Sequence, residues 1–180
     1  MEFIRKGIIR KRLENFELKT FESIASEITI NKQKYFLLSF YRTERKENRG
    51  KNIKRFINEL SDILTKVYSK YDNVILMGDI NIDLDDMKCQ GFKEFSNFMD
   101  IFSLSNLIKE KTCFFKNHDS LIDVFLTNSP RKFKKSFSLE LGISDCHKII
   151  GSFLKTTIST LKQKMISYRS LKNLDIELFN

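Results

Sequence analysis

Gly78-Asp79-Ile80-Asn81 places a carboxylate and a carboxamide two residues apart, directly after the apolar run Val74 to Met77. In an extended segment such a pair shares one side of the chain. An ionised Asp can then accept a proton from water while the amide holds that water or a phosphate oxygen. The same tetrapeptide also makes a good strand-ending turn, so the pair needs support from elsewhere. Ser120-Leu121-Ile122-Asp123-Val124-Phe125-Leu126 sets Asp123 in the middle of an apolar strand, where a carboxylate requires a partner. Ser144-Asp145-Cys146-His147 offers one. A histidine near the start of a terminal strand can be held by a carboxylate from a neighbouring strand, as an oriented catalytic imidazole is, with a satisfied core histidine as the competing reading.

Asp79-x-Asn81-x-Asp83 also matches the opening of a calcium loop, with Asp85 and Asp86 close by. The match then fails, because Leu84 stands where such a loop wants Gly and Gln90 where it wants a bidentate Glu. Cys89, Cys113 and Cys146 are odd in number and widely spaced, with no Cys-x-x-Cys pair. That argues against a disulfide framework and a zinc ribbon and fits a reducing, intracellular setting.

The elements that must position these groups follow from periodicity. Glu22 to Ile30 and Tyr35 to Tyr41, joined by Asn31-Lys32-Gln33-Lys34, read as a β-hairpin. A charged loop from Arg42 to Lys51 precedes Ile53, Phe56, Ile57, Leu60, Leu64, Val67 and Tyr71, which recur at helical spacing. Val74 to Met77 is apolar throughout and reads as a strand buried on both faces. Phe92, Phe95, Met99 and Phe102 mark a second helix; Thr112 to Phe115, Leu121 to Leu126, Ser136 to Leu141 and His147 to Leu154 are further strands. Helices interleaved with strands predict a layered α/β domain.

The 180 residues suit one domain, and hydrophobic residues at 41% supply a core without staples. No wholly apolar run exceeds four residues, far short of the roughly 20 that a membrane-spanning helix needs. Charge breaks the apolar residues of the first twelve positions every two or three residues, which excludes a signal-peptide core there. The 32 Lys and Arg against 23 Asp and Glu leave a net charge of +9, which invites a nucleic-acid partner. The abundance of Lys, Asn, Ile and Phe, all encoded by A/T-rich codons, offers a simpler source for part of that charge.

Together, Gly78-Asp79-Ile80-Asn81, Ser120-Leu121-Ile122-Asp123 and Ser144-Asp145-Cys146-His147, in this order, resemble the later motifs of the endonuclease/exonuclease/phosphatase superfamily, which includes DNase I and exonuclease III. In particular the chain resembles the endonuclease domain that precedes reverse transcriptase in non-LTR (LINE-type, jockey-like) retrotransposons. Further stretches carry this resemblance: Phe3-Ile4-Arg5-Lys6-Gly7, Ser39-Phe40-Tyr41-Arg42, Lys111-Thr112-Cys113-Phe114, Leu141-Gly142-Ile143-Ser144-Asp145 and Ser167-Tyr168-Arg169.

The resemblance implies that Asp79 orients or deprotonates the attacking water and that Asn81 positions it and contacts the phosphate. It implies that His147 stabilises the developing phosphorane charge, that Asp123 orients His147, and that Asp145 lies near a divalent metal, expected to be Mg²⁺. Tyr41 would contact phosphate, and Thr112 and Ser120 would line the DNA cleft. The family's aspartate and histidine are usually adjacent, whereas Cys146 separates them here, a spacing that some jockey-like elements resemble. The family's opening strand, with an Asn and then a metal-binding Glu, belongs upstream of Met1, and Glu2, Glu14 and Glu17 stand in the wrong context to replace that Glu.

These observations predict an N-terminally incomplete four-layer α/β sandwich over residues 1–155, with 156–180 as a connector. The expected parent activity is Mg²⁺-dependent nicking of DNA to prime reverse transcription, weak or absent in this chain. DNA is the expected partner, with a reverse transcriptase domain downstream, no membrane and a nuclear location. The alternative is a catalytically dead remnant that binds nucleic acid through its basic surface; a phosphatase on the same fold ranks third.

Overall fold

The computed structural model describes residues 8–43, 49–115, 118–140, 142 and 147–156. In chain order the strands are β1 (Ile9–Arg12), β2 (Glu22–Ile30) and β3 (Gln33–Tyr41), followed by α1 (Arg49–Val67) and β4 (Val74–Asp79). Next come α2 (Phe92–Ile101), β5 (Ser105–Asn106), β6 (Cys113–Phe115), β7 (His118–Ser120), β8 (Asp123–Thr127), β9 (Phe133–Leu139) and β10 (Ile149–Leu154). The main sheet has six strands in the order β1-β2-β3-β4-β8-β5, while β9 with β10 and β6 with β7 form two-stranded sheets. Among the described strands only β3 and β4 pair in parallel, which is why a helix must carry the chain from the end of one back to the start of the other.

Side-chain parity divides the main sheet into two faces, because successive residues of a strand point to opposite sides. Phe36, Leu38 and Phe40 of β3, Val74 and Leu76 of β4, and Val124 and Leu126 of β8 pack with the helices. From α1 this core receives Ile53, Phe56, Leu60, Ile63, Leu64 and Val67, spaced three or four apart so that one stripe faces the sheet. Phe95 and Phe98 contribute from α2. Phe56 meets Phe21 and Phe40 edge-on, with ring centroids 5.1 and 5.4 Å apart, and burying each such ring contributes roughly 1.5–3 kcal/mol. On the opposite face Tyr35, Leu37, Ile75 and Phe125 pack against Phe133, Ile150 and Leu154 of the β9–β10 ribbon.

The domain is therefore an α/β sandwich in which the main sheet lies between the two helices and the ribbon. A second outer layer of helices is not represented among the described residues. Among those residues no helix is long and apolar enough to cross a membrane. Residues 157–180, which contain nearly all of the expected connector, lie outside the described residues, as do the motifs Phe3-Ile4-Arg5-Lys6-Gly7 and Ser167-Tyr168-Arg169.

Several boundaries differ from those that periodicity suggests. The first helix already includes Gly50 and Lys51, and it closes at Val67, with Tyr71 N–H bonded to the Val67 carbonyl in the turn beyond. The strand begun at Val74 continues through Gly78 to Asp79. Gly78, at φ 151°, lies beside Phe40 so closely that a Cβ there would stand 1.9 Å from the Phe40 carbonyl oxygen. β8 starts at Asp123, because the carbonyls of Leu121 and Ile122 are taken by the N–H groups of Leu84 and Ile80 and cannot join the ladder. β10 starts at Ile149, and β9 reaches back to Phe133.

Candidate functional site

Register brings the chemistry together. Tyr41 pairs with Asp79, and Asp79 pairs with Asp123, so these side chains form a row on one face at one edge of the sheet. That face is the one covered further along by the β9–β10 ribbon. The chain leading into β10 delivers His147, which bridges to Cys113. Asp79, Asp123 and His147 each offer a ligand atom within 4.8 Å of the others, and Asn81 donates its N–H to Asp79 Oδ1 at 2.8 Å.

The turn that presents Asp79 and Asn81 is built around Arg42, whose side chain is fully buried. Its guanidinium donates to the Ile80 carbonyl, to the Asn81 carbonyl at 2.7 Å and to Asn52 Oδ1 at 2.7 Å. In return the Asn81 side-chain amide donates to the Arg42 carbonyl at 2.7 Å, and the Arg42 N–H donates to the Asp79 carbonyl at 2.9 Å. Asn81 adopts φ 49°, a left-handed conformation that Asn tolerates better than most residues. One of its two amide hydrogens is thus used in fixing the turn, and the carboxamide oxygen offers an acceptor for water.

Asp123 is framed by Thr112. The Thr112 hydroxyl oxygen accepts from Ile122 N–H at 3.3 Å and Asp123 N–H at 3.1 Å, and the hydroxyl donates to the Asp123 carboxylate. Asp123 Oδ2 is buried, accepts no hydrogen bond among the described residues and faces His147 Nδ1 at 3.6 Å. The other ring nitrogen of His147 lies 3.8 Å from Cys113 Sγ. Burial pushes the Asp79 carboxyl up to about 6; the Asn81 N–H opposes this, the Asp123 carboxylate reinforces it, and the His147 and Arg42 charges oppose it. Burial also raises Asp123, against the Thr112 hydroxyl and then His147.

The remaining sequence-derived site residues fall in different places. Tyr41 is 41% exposed at the open end of the row. Thr112 and Ser120, expected to line a DNA cleft, are buried, and the Ser120 carbonyl accepts from Thr112 N–H at 2.9 Å; both belong to the frame beneath the site. The expected metal residue Asp145 lies outside the described residues, with Ser144 and Cys146. Asp83, the third acid of the rejected calcium loop, is buried and uses Oδ1 to accept the N–H groups of Asp85 and Leu121, which makes it a loop pin. Arg42 was not read as part of the site from its sequence; the available signal was an arginine placed directly after an apolar strand. Cys113, beside the other nitrogen of His147, is likewise absent from the residues that the sequence nominates for the site.

Comparison with known proteins identifies a family and a shared fold. A family described as endonuclease-reverse transcriptase matches residues 35–150, a span that includes Tyr41, Asp79, Asn81, Asp123 and His147. Among solved structures, the endonuclease domain of TRAS1, a telomere-specific non-LTR retrotransposon, superposes with a TM-score of 0.68 at 12% identity, over 84% of this chain and 71% of that one. A 3′ phosphatase, NExo, from Neisseria, bound to product DNA hairpin, gives 0.61 at 14% identity over 84% and 71% of the two chains. The catalytic domain of APE2 from Xenopus laevis gives 0.52 at 17% identity over 73% and 55%. At these identities the likeness is one of fold. No curated protein matches the chain in sequence.

Proposed function

The chain belongs to the endonuclease-reverse transcriptase family, whose match covers well over half of it, and on that premise we propose that its site hydrolyses phosphodiester bonds of DNA in a divalent-metal-dependent nick. The observation that carries this reading is the cluster of Asp79, Asp123 and His147 at the strand ends, with Asp123 Oδ2 buried and without a hydrogen bond.

In the proposed reaction Asp79 is the base. A carboxyl pushed up to about 6 is ionised at neutral pH, yet basic enough to take a proton from water as its oxygen approaches phosphorus. Asn81, locked by Arg42 and by Asp79 itself, holds the water through its carboxamide oxygen. Asp123 fixes the His147 ring, which donates a hydrogen bond to a phosphate oxygen as negative charge gathers there; the bond to the departing sugar oxygen breaks, and that oxygen takes its proton from water. Tyr41, exposed at the end of the row, steers the neighbouring phosphate.

Asp79, Asp123 and His147 offer donor atoms within 4.8 Å of one another, a set that suits a cation nearby; with Asp79 serving as base and Asp123 committed to His147, Asp145 is the residue that the resemblance nominates to hold Mg²⁺ alongside its retained waters. Bound there, Mg²⁺ would polarise the phosphoryl oxygen and offset developing charge. With so few protein oxygens, binding and nicking by this chain are expected to be weak.

Such a nick would leave a 3′-hydroxyl primer for a reverse transcriptase, the activity named beside the endonuclease in the family description, and chromosomal DNA as substrate would put the work in the nucleus. The test is conversion of supercoiled plasmid to open circles by the purified chain. Weak nicking that requires Mg²⁺ and is lost in Asp79→Ala and His147→Ala supports the proposal. Nicking indifferent to both substitutions refutes it, and none at all in millimolar Mg²⁺ favours the remnant that only binds nucleic acid.

A further inference from the structure

At the end of the sheet remote from Asp79, Lys32, Lys34, Lys70 and Lys132 surround a recess of about 360 Å³. Asp72 is the one carboxylate among its lining residues. We infer that this recess is a second phosphate-binding site, separate from the catalytic edge, that holds the backbone of a nucleic-acid strand. The inference rests on the nucleic-acid reading of the catalytic edge and adds a place where a strand is gripped without being cut.

Three segments of chain converge to make it: the β2–β3 turn, the end of α1 and the short turn before β9. Four lysines line it, with Asp72 and the Glu27 partner of Lys34 offsetting part of their charge, and the excess of cations favours a polyanion. Several of their stems are already fixed. Lys132 Nζ lies 3.1 Å from Gln33 Oε1 and 5.6 Å above the Tyr35 ring, and Lys70 Nζ lies 5.4 Å above the Phe16 ring. Lys34 Nζ is 3.0 Å from Glu27. Side chains held in place before binding lose less freedom on binding.

The turn itself gives a second, independent reason. Ile30 pairs with Gln33, so Asn31 and Lys32 form a two-residue hairpin loop, with φ 49° and 65°. Such a loop favours Gly at its second position, since a side chain is strained at positive φ. This chain carries lysine there, at the lip of the recess. A backbone position that prefers glycine has been given to a cation.

The recess and the catalytic edge lie at opposite ends of β4. From Val74 to Asp79 the strand spans about 17 Å at about 3.3 Å per residue, so a phosphate in the recess is distinct from one at Asp79. A strand that touches both must run along the flank of the sandwich.

The test uses the full 180-residue chain and a fluorescein-labelled single strand of about 20 nucleotides, with anisotropy read between about 50 and 200 mM salt. Substituting Lys32→Gly, Lys70→Gln and Lys132→Gln together should flatten the salt slope by about 2, since each released phosphate contact is worth about 0.7 for single strands. The control removes equal charge from the exposed side of α1, through Lys51→Gln, Lys54→Gln and Lys66→Gln, and should leave the slope near its original value. Lys32→Gly alone should raise the thermal midpoint while weakening binding, opposite signs that a purely structural lysine would not give.

Equal losses in both triple variants would mean diffuse charge and overturn the inference. So would an unchanged slope in the recess variant, which would leave the nicking proposal standing. Displacement of the strand by inorganic phosphate, where chloride of the same ionic strength has no effect, would reassign the recess to free phosphate. No binding by the unsubstituted chain at low salt would remove both this site and DNA as partner, whereas plasmid nicking in Asp79→Ala reports on the catalytic edge alone.

Discussion

Replacing Asp79 by Asn should make the protein more stable while removing its chemistry. Burial, reinforced by the Asp123 carboxylate, lifts Asp79 to about 6 from its ordinary 3.8. Between those values the folded state holds a proton that the unfolded chain has released, so stability falls as pH rises through the window and stays low above it. A lift of about two units corresponds to roughly 3 kcal/mol of penalty on the ionised form at neutral pH. Asn keeps an Oδ1 for the Asn81 N–H that now bonds Asp79 at 2.8 Å, and it carries no charge to desolvate or to repel Asp123. Urea unfolding of both proteins at several pH values from about 4 to 8 measures the difference. The expected gain for Asp79→Asn is up to about 3 kcal/mol at pH 8, or a thermal midpoint higher by roughly 6–12 °C, shrinking towards pH 4. A variant less stable than the parent at pH 8, or a gain independent of pH, would refute the account of a carboxylate held ionised at a cost.

Gly78→Ala should abolish folding or cost more than about 4 kcal/mol, since the new Cβ would meet the Phe40 carbonyl at 1.9 Å across the β3–β4 pairing; circular dichroism and a denaturant melt read this directly. Glu27 is lowered by the Tyr71 hydroxyl, then by Lys34, so its contribution is present above the unfolded carboxylate value and is lost as pH falls through the lowered one. Glu27→Gln should therefore flatten the acid limb of a stability-against-pH curve, and an unchanged limb would show that the Tyr71 contact is energetically idle.

The sequence made the helix-facing core legible because α1 spaces Ile53, Phe56, Leu60, Leu64 and Val67 by helical turns, and β4 is apolar on both faces because helices cover one and the ribbon the other. The strand ends were harder to place. Asp123 reads as mid-strand, since Leu121 and Ile122 are as apolar as the residues after it; their carbonyls instead bond to the segment after β4, a long-range pairing that no local pattern records. Tyr41, Asp79, Asn81, Asp123 and His147 stood out by residue type and by resemblance. Their support did not: Arg42 looks like one more surface cation, and only the fold shows its guanidinium buried among the Ile80 and Asn81 carbonyls. Thr112 shows the opposite error, a polar residue assigned to a cleft that instead ties two N–H groups into the frame.

The parallel pairing of β3 with β4, against an antiparallel β8, separates what sets the spacing of the acids from what surrounds them. Two strands leave the sheet at the catalytic edge and a third enters there, so the segments after Arg42, after Asn81 and before Asp123 all hang from the same rim. The packed interior lies behind them and sets where Asp79 and Asp123 sit. A change in the length or composition of those rim segments would alter what surrounds the acids without disturbing their spacing.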